Sequence, residues 1–190
     1  IKVSVFDASN DVIGSATALI SNTASAASTT SNLTTGVDTL AAGEGDNTIG
    51  ATVSAANGTG STFQPGDVID GGSGSDVLKL SLSGSLTGAH SISGVEMSNV
   101  EEIQINGFQT VDANDYTLDM ALITGVTTLG LTSSSATNDI TVDNVPTIVD
   151  VNAKNGGGDL TVTYLATTIA GAADSQNLNV NNYTGTVSLA

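Results

Sequence analysis

The chain has 190 residues and no Cys, and its 19 acidic residues against three lysines give a formal net charge of −16. This charge disfavours binding to nucleic acid and to anionic membranes, and the lack of Cys excludes disulfides and thiolate metal sites. Hydrophobic residues make up 39% of the chain but aromatic residues only 3%. A core of small aliphatic side chains suits stacked β coils better than a globule with a large aromatic centre.

The N-terminal 32 residues form a zone of their own. The alternating segment Ile1–Phe6 predicts a strand, Asp7–Asn10 predicts a turn, and a second apolar stretch follows. Residues 21–32 are almost entirely Ser, Thr, Ala and Asn, a composition typical of a linker or an extended connection. Because the chain begins with Ile1 rather than Met, we expect a fragment or a processed product.

Membrane insertion is not expected from this composition. No apolar run approaches the ~18 residues that a membrane span needs. The stretch Val12–Ile20 is short, is interrupted, and lacks the basic region that precedes a cleavable signal peptide.

Residues 33–82 are distinguished by Gly/Asp-rich turns in a regular spacing. The segments Gly36–Leu40 and Gly45–Ile49 share the form G-x-[DN]-x-aliphatic, with Asp38 and Asn47 nine residues apart. The segment 66–80 contains a second such pair, Asp67 and Asp76, again nine apart. Between the pairs, the Gly/Ser/Thr-rich stretch 51–65 is expected to project as a loop.

The chemistry of these turns points to calcium. Gly71, Gly72 and Gly74 allow the positive-φ backbone of a tight loop with inward carbonyls, and Asp76 adds a carboxylate oxygen. A Gly/Asp-rich turn without an ion is the alternative, since these residues dominate turns in general. The nine-residue register, which matches the G-G-x-G-x-D-x-U-x repeat of calcium-binding β-helices, favours calcium. The predicted ligands are Asp38, Asp46, Asn47, Asp67, Asp70, Gly72, Gly74 and Asp76.

One position in the first pair departs from this pattern. Asn47 stands where the principal carboxylate is expected, so we expect a weaker site there or the use of Asp46 instead.

Beyond residue 83 the Gly/Asp turns fade, but short apolar alternations continue. They lie at Ile103/Ile105, Leu129/Leu131, Ile140/Val142, Val149/Val151, Leu160/Val162, Leu178/Val180 and Val187/Leu189. From Leu129 onward, the strand starts step by 11, 9 and 11 residues, so corresponding strands recur about every 20 residues, and the steps then become 18 and 9. This period predicts that residues 83–190 continue the domain as a parallel β-solenoid, while an antiparallel sandwich of short strands is the alternative.

Other candidate chemistry is sparse. His90 is the single histidine, so neither a His-based zinc site nor a catalytic dyad can be assembled, and we expect a surface residue. Asp112, Asp115 and Asp119 are close in sequence and suit either paired carboxylates or metal ligands. Alternatively, the segment 114–123 forms a short helix with a solvated acidic cluster, which is the interpretation we favour.

The order of turns, insertion and strands in about residues 33–105 resembles the repeat-in-toxin (RTX) superfamily. The similarity rests on Leu33–Leu40, Gly45–Ile49, Gly66–Leu78 and Asn99–Ile103, and is greatest to the domain of calcium-dependent bacterial S-layer proteins. The resemblance implies an all-β, β-roll or β-helix-like fold, type I secretion, folding by calcium at the bacterial cell surface, and Asp76 as the principal ligand of the second pair.

Three functions follow from these expectations. The first is a structural subunit of a calcium-dependent extracellular assembly, an S-layer lattice or a surface filament, whose main partner is another copy of itself and whose further partner is a cell-surface polysaccharide. The second is an adhesin or matrix-binding module. The third is the non-catalytic part of a secreted hydrolase, because neither an HExxH nor a GxSxG motif is present. We therefore expect no enzymatic activity.

Overall fold

A computed structural model describes residues 2–9, 12–17, 26–54, 60–83, 90–107, 115–170 and 174–190. These residues form seventeen β-strands and no helix. Accordingly, no helix in the described part of the chain is long and apolar enough to cross a membrane.

The N-terminal strands form a hairpin. Strand β1 (Lys2–Phe6) pairs with β2 (Val12–Thr17) in antiparallel register, with an irregularity at Val5/Phe6. The strand predicted at residues 1–6 is therefore confirmed for residues 2–6, while residue 1 lies outside the described residues.

From Thr30 onward, all paired strands run parallel within three sheets. The long sheet contains β3 (Thr30–Asn32), β5 (Thr48–Ser54), β7 (Val77–Ser83), β10 (Glu102–Asn106), β12 (Thr128–Thr132), β14 (Asp150–Gly156) and β16 (Leu178–Tyr183). The second sheet contains β8 (His90–Ile92), β11 (Tyr116–Asp119), β13 (Ile140–Val145), β15 (Leu160–Tyr164) and β17 (Val187–Leu189). The short sheet contains β4 (Thr39–Ala41), β6 (Val68–Asp70) and β9 (Glu96–Ser98).

The chain alternates between these sheets, and so winds into a β-solenoid of about five coils. The predicted parallel solenoid is confirmed and the antiparallel sandwich is wrong. The period of about 20 residues holds between Leu129 and Leu160, since Leu129 pairs with Val151 and Ile140 with Leu160, 22 and 20 positions later. Other coils differ in length: Thr30 pairs with Thr48 after 18 positions, Thr48 with Val77 after 29, and Leu160 with Val187 after 27.

Columns of aliphatic side chains fill the core. In the long sheet, Ile49, Leu78, Ile103, Leu129 and Val151 lie side by side in register, each no more than 1% exposed. Alternate residues of the core strands point outward, so the seven-residue strand β7 contributes three side chains to the core and the three-residue strand β6 contributes one. The small aliphatic core expected from composition follows from this stacking.

Three local predictions are wrong. Residues 51–54 belong to β5 rather than to a projecting loop, and Phe63, on the far side of the insertion, is buried. Thr30–Asn32, expected within a linker, forms β3. The segment 114–123 contains strand β11 instead of a helix, because Tyr116 and Leu118 alternate into the core. Residues 21–25 and 55–59 lie outside the described residues.

Candidate functional site

The structure divides the eight predicted ligands between two places. Asp38 and Asp67 lie just before β4 and β6, which we call the aspartate corner. The other six lie where the chain leaves the short sheet and enters the long sheet. We call this the glycine corner, made of residues 43–47, 70–76 and 98–101. Because a strand rises about 3.3 Å per residue, Asp67 and Asp70 at opposite ends of β6 are about 10 Å apart.

At the aspartate corner, every carboxylate oxygen accepts a hydrogen bond. Asp67 is fully buried; its Oδ1 accepts from the Asp38 backbone N–H and its Oδ2 from that of Gln64, each at 2.9 Å. The Asp38 oxygens accept from the backbone N–H and hydroxyl of Thr34, at 2.7 and 2.9 Å. Here the predicted ligands act as internal hydrogen-bond acceptors: Asp67 links two coils, and Asp38 binds Thr34 within its own coil.

At the glycine corner, two Gly-rich turns stack on each other. Glu44 and Ser73 form an isolated parallel β-bridge. A Cβ added at Gly72 would lie 1.8 Å from the Gly43 carbonyl oxygen. Gly72 and Gly74 have the predicted positive φ, at 90° and 141°, whereas Gly71 does not. Gly71 is instead required by a close approach, since its Cβ would lie 1.8 Å from the Asn99 carbonyl oxygen.

Asp76 occupies the centre of the glycine corner and is fully buried. Its Oδ1 accepts from the Asn47 N–H of the preceding coil at 2.6 Å, and its own N–H donates to Oε2 of Glu101 in the following coil at 2.7 Å. Oδ2 has no hydrogen-bond partner. Asp76 therefore connects three coils and retains one free carboxylate oxygen.

The other corner residues are already hydrogen-bonded. Asn47 is buried; its carbonyl oxygen accepts from the Thr29 N–H and hydroxyl, and its amide group donates to the Gly45 and Gly71 carbonyls. Asp46 Oδ1 accepts from the Ser75 N–H at 2.9 Å. Asn47 thus acts as a structural link between coils through all of its side-chain polar atoms.

Asp70 also lies at this corner and is exposed. Its Oδ1 accepts from the Gly72 N–H at 3.0 Å and from Nδ2 of Asn99 at 2.8 Å.

Calcium requires six to eight oxygen ligands, and the corner fits this demand only in part. Among the described residues, no group of three or more His, Cys, Asp or Glu side chains is placed to hold a metal ion. Asp76 Oδ2 and the Asn99 carbonyl oxygen nevertheless face the same space beside Gly71, which a Cβ there would fill. An ion at this corner would therefore be held by Asp76 and by main-chain carbonyls, rather than by a cluster of carboxylates.

Residues that the sequence analysis missed perform the same linking role in later coils. The Oδ1 atoms of Asp139 and Asp159 accept from the N–H groups of Asp159 and Thr186, at 2.9 and 2.7 Å. Asp150 accepts hydrogen bonds from both the backbone N–H and the side chain of Asn177. These hydrogen bonds lower the pKa of Asp150, and the side-chain hydrogen bond has the larger effect.

One sequence signal could have found most of these acceptors. Asp139 and Asp159 immediately precede the strands that begin at Ile140 and Leu160, just as Asp67 and Asp76 precede Val68 and Val77.

The acceptors bind in both directions along the solenoid. Asp67, Asp76 and Glu101 each accept from the preceding coil. Asp46 and Asp70 instead accept from the Ser75 N–H and from Nδ2 of Asn99 in the following coil. Asp119 accepts from Nδ2 of Asn144 in the following coil, at 2.9 Å, and Asp139, Asp150 and Asp159 also bind forward.

Among the described residues, the remaining candidates do not form a second site. His90 is half-buried rather than on the surface, and the centre of its ring lies 5.5 Å from that of Tyr116. Burial raises the pKa of Tyr116. Asp115 is exposed, and residue 112 lies outside the described residues. Asp119 Oδ1 accepts hydrogen bonds from Nδ2 of Asn144 and from the Ala121 N–H.

No family model, curated protein or solved structure matches this chain. The functional argument therefore rests on the residues and on their geometry.

Proposed function

We propose that this chain is a structural subunit of a calcium-dependent bacterial extracellular assembly, either an S-layer lattice or a surface filament of the RTX type. The observation that carries the proposal is the free Oδ2 of Asp76, a buried carboxylate oxygen without a partner at the point where the Gly-rich turns stack. A buried charge that lacks a compensating group is costly, and a bound cation would remove that cost.

The role of calcium in this proposal is electrostatic. The chain carries 19 carboxylates against three lysines, so neighbouring coils and neighbouring molecules repel one another at low ionic strength. Calcium bound at the glycine corner stabilises the stacked turns, and its binding free energy is coupled to folding. Calcium on exposed carboxylates reduces the repulsion between molecules and allows assembly. In this proposal the chain is exported, folds outside the cell and has no enzymatic role.

The test is a calcium titration after treatment with EDTA, followed by far-UV circular dichroism and light scattering. We expect calcium to raise the unfolding midpoint in urea and, at high protein concentration, to produce large particles that EDTA disperses. If both the fold and the assembly state are indifferent to calcium, the proposal is wrong.

Two variants separate a ligand from a structural acceptor. Asp76→Asn is expected to remove most of the calcium-dependent rise in the urea midpoint. Asp67→Asn, the matched control at the aspartate corner, is expected to lower the midpoint equally with calcium and with EDTA, because both Asp67 oxygens accept backbone N–H groups. Equal calcium responses in the two variants would contradict the assignment of Asp76.

A further inference from the structure

A second carboxylate lies beside the free oxygen of Asp76 at the glycine corner. Glu101, in the following coil, accepts the Asp76 N–H through its Oε2 at 2.7 Å, and its own N–H donates to the Asp76 carbonyl at 3.1 Å. Since Oε2 contacts the main-chain nitrogen of Asp76 itself, the two carboxylate groups are about 6 Å apart. Glu101 is therefore held next to the residue whose Oδ2 has no partner.

The other acidic side chains at this corner are exposed. Glu44, Asp46 and Asp70 reach the solvent, where water and salt screen their charges. Asp76 is fully buried, and Glu101 is only partly exposed. Within the described residues, neither of these two forms an ion pair with a lysine. Two negative charges thus lie close together, shielded from water, with no lysine to offset them.

The second charge changes which cation the corner attracts. Electrostatic attraction grows with the product of the charges, so the Glu101 carboxylate favours a divalent ion twice as strongly as a monovalent ion at the same position. Calcium accepts carboxylate and main-chain carbonyl oxygens in a flexible geometry. Such oxygens are present, because Asp76 Oδ2 and the Asn99 carbonyl oxygen would lie 2.9 and 1.8 Å from a Cβ added at Gly71.

We propose that Glu101 makes the glycine corner selective for a divalent over a monovalent cation. This inference rests on the proposed function, in which Asp76 binds calcium. Glu101 is a positioning residue: it acts on the ion through its charge and through its hold on the Asp76 backbone. Because Glu101 belongs to the coil after Asp76, the bound ion also offsets the repulsion between these two coils.

Two substitutions separate the charge of Glu101 from its hydrogen bond. Glu101→Gln keeps an oxygen that accepts the Asp76 N–H but removes the charge, so calorimetry should show calcium binding weakened about tenfold. Its urea midpoint in EDTA should be unchanged or higher, because repulsion is relieved. NaCl should displace calcium from Glu101→Gln better than choline chloride of equal ionic strength, whereas the two salts should act alike on the wild type. Glu101→Asp keeps the charge with a shorter side chain, and should retain calcium binding while lowering the midpoint in EDTA.

The neighbouring residue supplies the matched control. Glu102→Gln removes the same charge from a side chain that accepts from Gln104 instead of Asp76, and it should leave calcium affinity nearly unchanged. If the wild type does not bind calcium, the proposed function fails together with this inference. If the wild type binds calcium, three results overturn the inference alone: Glu101→Gln binds as tightly as the wild type, Glu102→Gln weakens binding equally, or Glu101→Gln loses the same stability in EDTA as in calcium.

Discussion

At the scale of single residues, the buried aspartates are acceptors for backbone amides. Asp67 satisfies two N–H groups from positions that no strand partner covers, and it does so without exposure to water. A carboxylate that accepts charge-assisted hydrogen bonds offsets the cost of its burial. Asn47 shows that an amide can occupy the equivalent position before β5, provided that donors and acceptors surround both ends of its side chain.

Asp67→Asn should therefore destabilise the fold. An Asn side chain retains one acceptor and directs an NH₂ group at a backbone donor, so we expect a loss of about 1–3 kcal/mol in the free energy of unfolding. Urea denaturation measures it. Asp70→Asn, on the exposed side of the same coil, is the control and should change stability little, because its donors are accessible to water. Equal losses in the two variants would show that burial does not decide the effect.

The pairing of Asp150 with Asn177 has a pH consequence. Hydrogen bonds from the Asn177 side chain and backbone hold the pKa of Asp150 below its ordinary value of 3.8. Because the folded pKa is lower than the unfolded one, the stabilisation is present above the unfolded pKa and is lost as the pH falls through the folded pKa. Asn177→Ala should raise the pKa of Asp150 toward 3.8 and reduce this acid sensitivity. Carboxyl chemical shifts in an NMR titration would measure the change, and an unaltered pKa would contradict the assignment.

The sequence identified the important aspartates more successfully than it predicted their contacts. The nine-residue spacing correctly marked Asp67 and Asp76 as special, since both are wholly buried before strands. It could not show that residues 38 and 67 lie at one corner and 47 and 76 at another. That arrangement depends on a coil of 29 residues, whose length is set by an insertion without periodicity. Glu101 was not among the predicted ligands for the same reason, because its partner is 25 positions away.

At the scale of secondary-structure elements, the turns of the glycine corner stack as closely as the strands do. Gly43 and Gly72 have nearly the same φ, 91° and 90°, but only Gly72 faces backbone of the neighbouring turn. An added Cβ at Gly43 would meet nothing within 4 Å. The two glycines therefore separate the cost of a left-handed backbone from the cost of close packing.

A pair of alanine substitutions tests this separation. Gly43→Ala should cost about 1–2 kcal/mol, the penalty for an L residue in the left-handed region. Gly72→Ala carries the same penalty and also displaces the facing turn, which adds about 1–3 kcal/mol. Thermal or urea unfolding gives both values. If Gly72→Ala proved no worse than Gly43→Ala, the two turns would not be in contact.

The short strands were predictable because their alternation is local. Leu78/Leu80, Ile103/Ile105 and Leu129/Leu131 all point into the core as expected. The helix expected over residues 114–123 was wrong because the density of Asp and Asn in that segment was given more weight than the alternation of Tyr116 and Leu118. Once a neighbouring strand is available on each side, alternation decides the structure, and β11 pairs with both β8 and β13.

At the scale of the whole molecule, charge repulsion and the apolar core have opposite effects on the stability of the fold. The aliphatic columns stabilise a compact solenoid, whereas a net charge of −16 destabilises any compact state through repulsion among carboxylates. Within the described residues the lysines are too few to neutralise them, and the two on the solenoid lie on its outer face.

Stability should consequently rise with ionic strength. Raising NaCl from about 0.05 M to 1 M shortens the Debye length from more than 10 Å to about 3 Å and screens repulsion between exposed carboxylates. The urea midpoint is expected to increase over this range. In a variant with Glu44→Gln and Glu96→Gln, both at exposed positions, the midpoint at low salt should be higher and its salt dependence smaller. A midpoint independent of salt would mean that the charges are too far apart to interact.

Most carboxylates at the corners depend on donors that lie outside their own coil. Asp67, Asp76 and Glu101 accept from the coil before them, whereas Asp46, Asp70 and Asp119 accept from the coil after them. Asp150 and Asp159 accept from Asn177 and Thr186 in the last coil. Removal of that coil would leave both carboxylates without these donors, so the solenoid could not be shortened at this end without affecting the coil that remains.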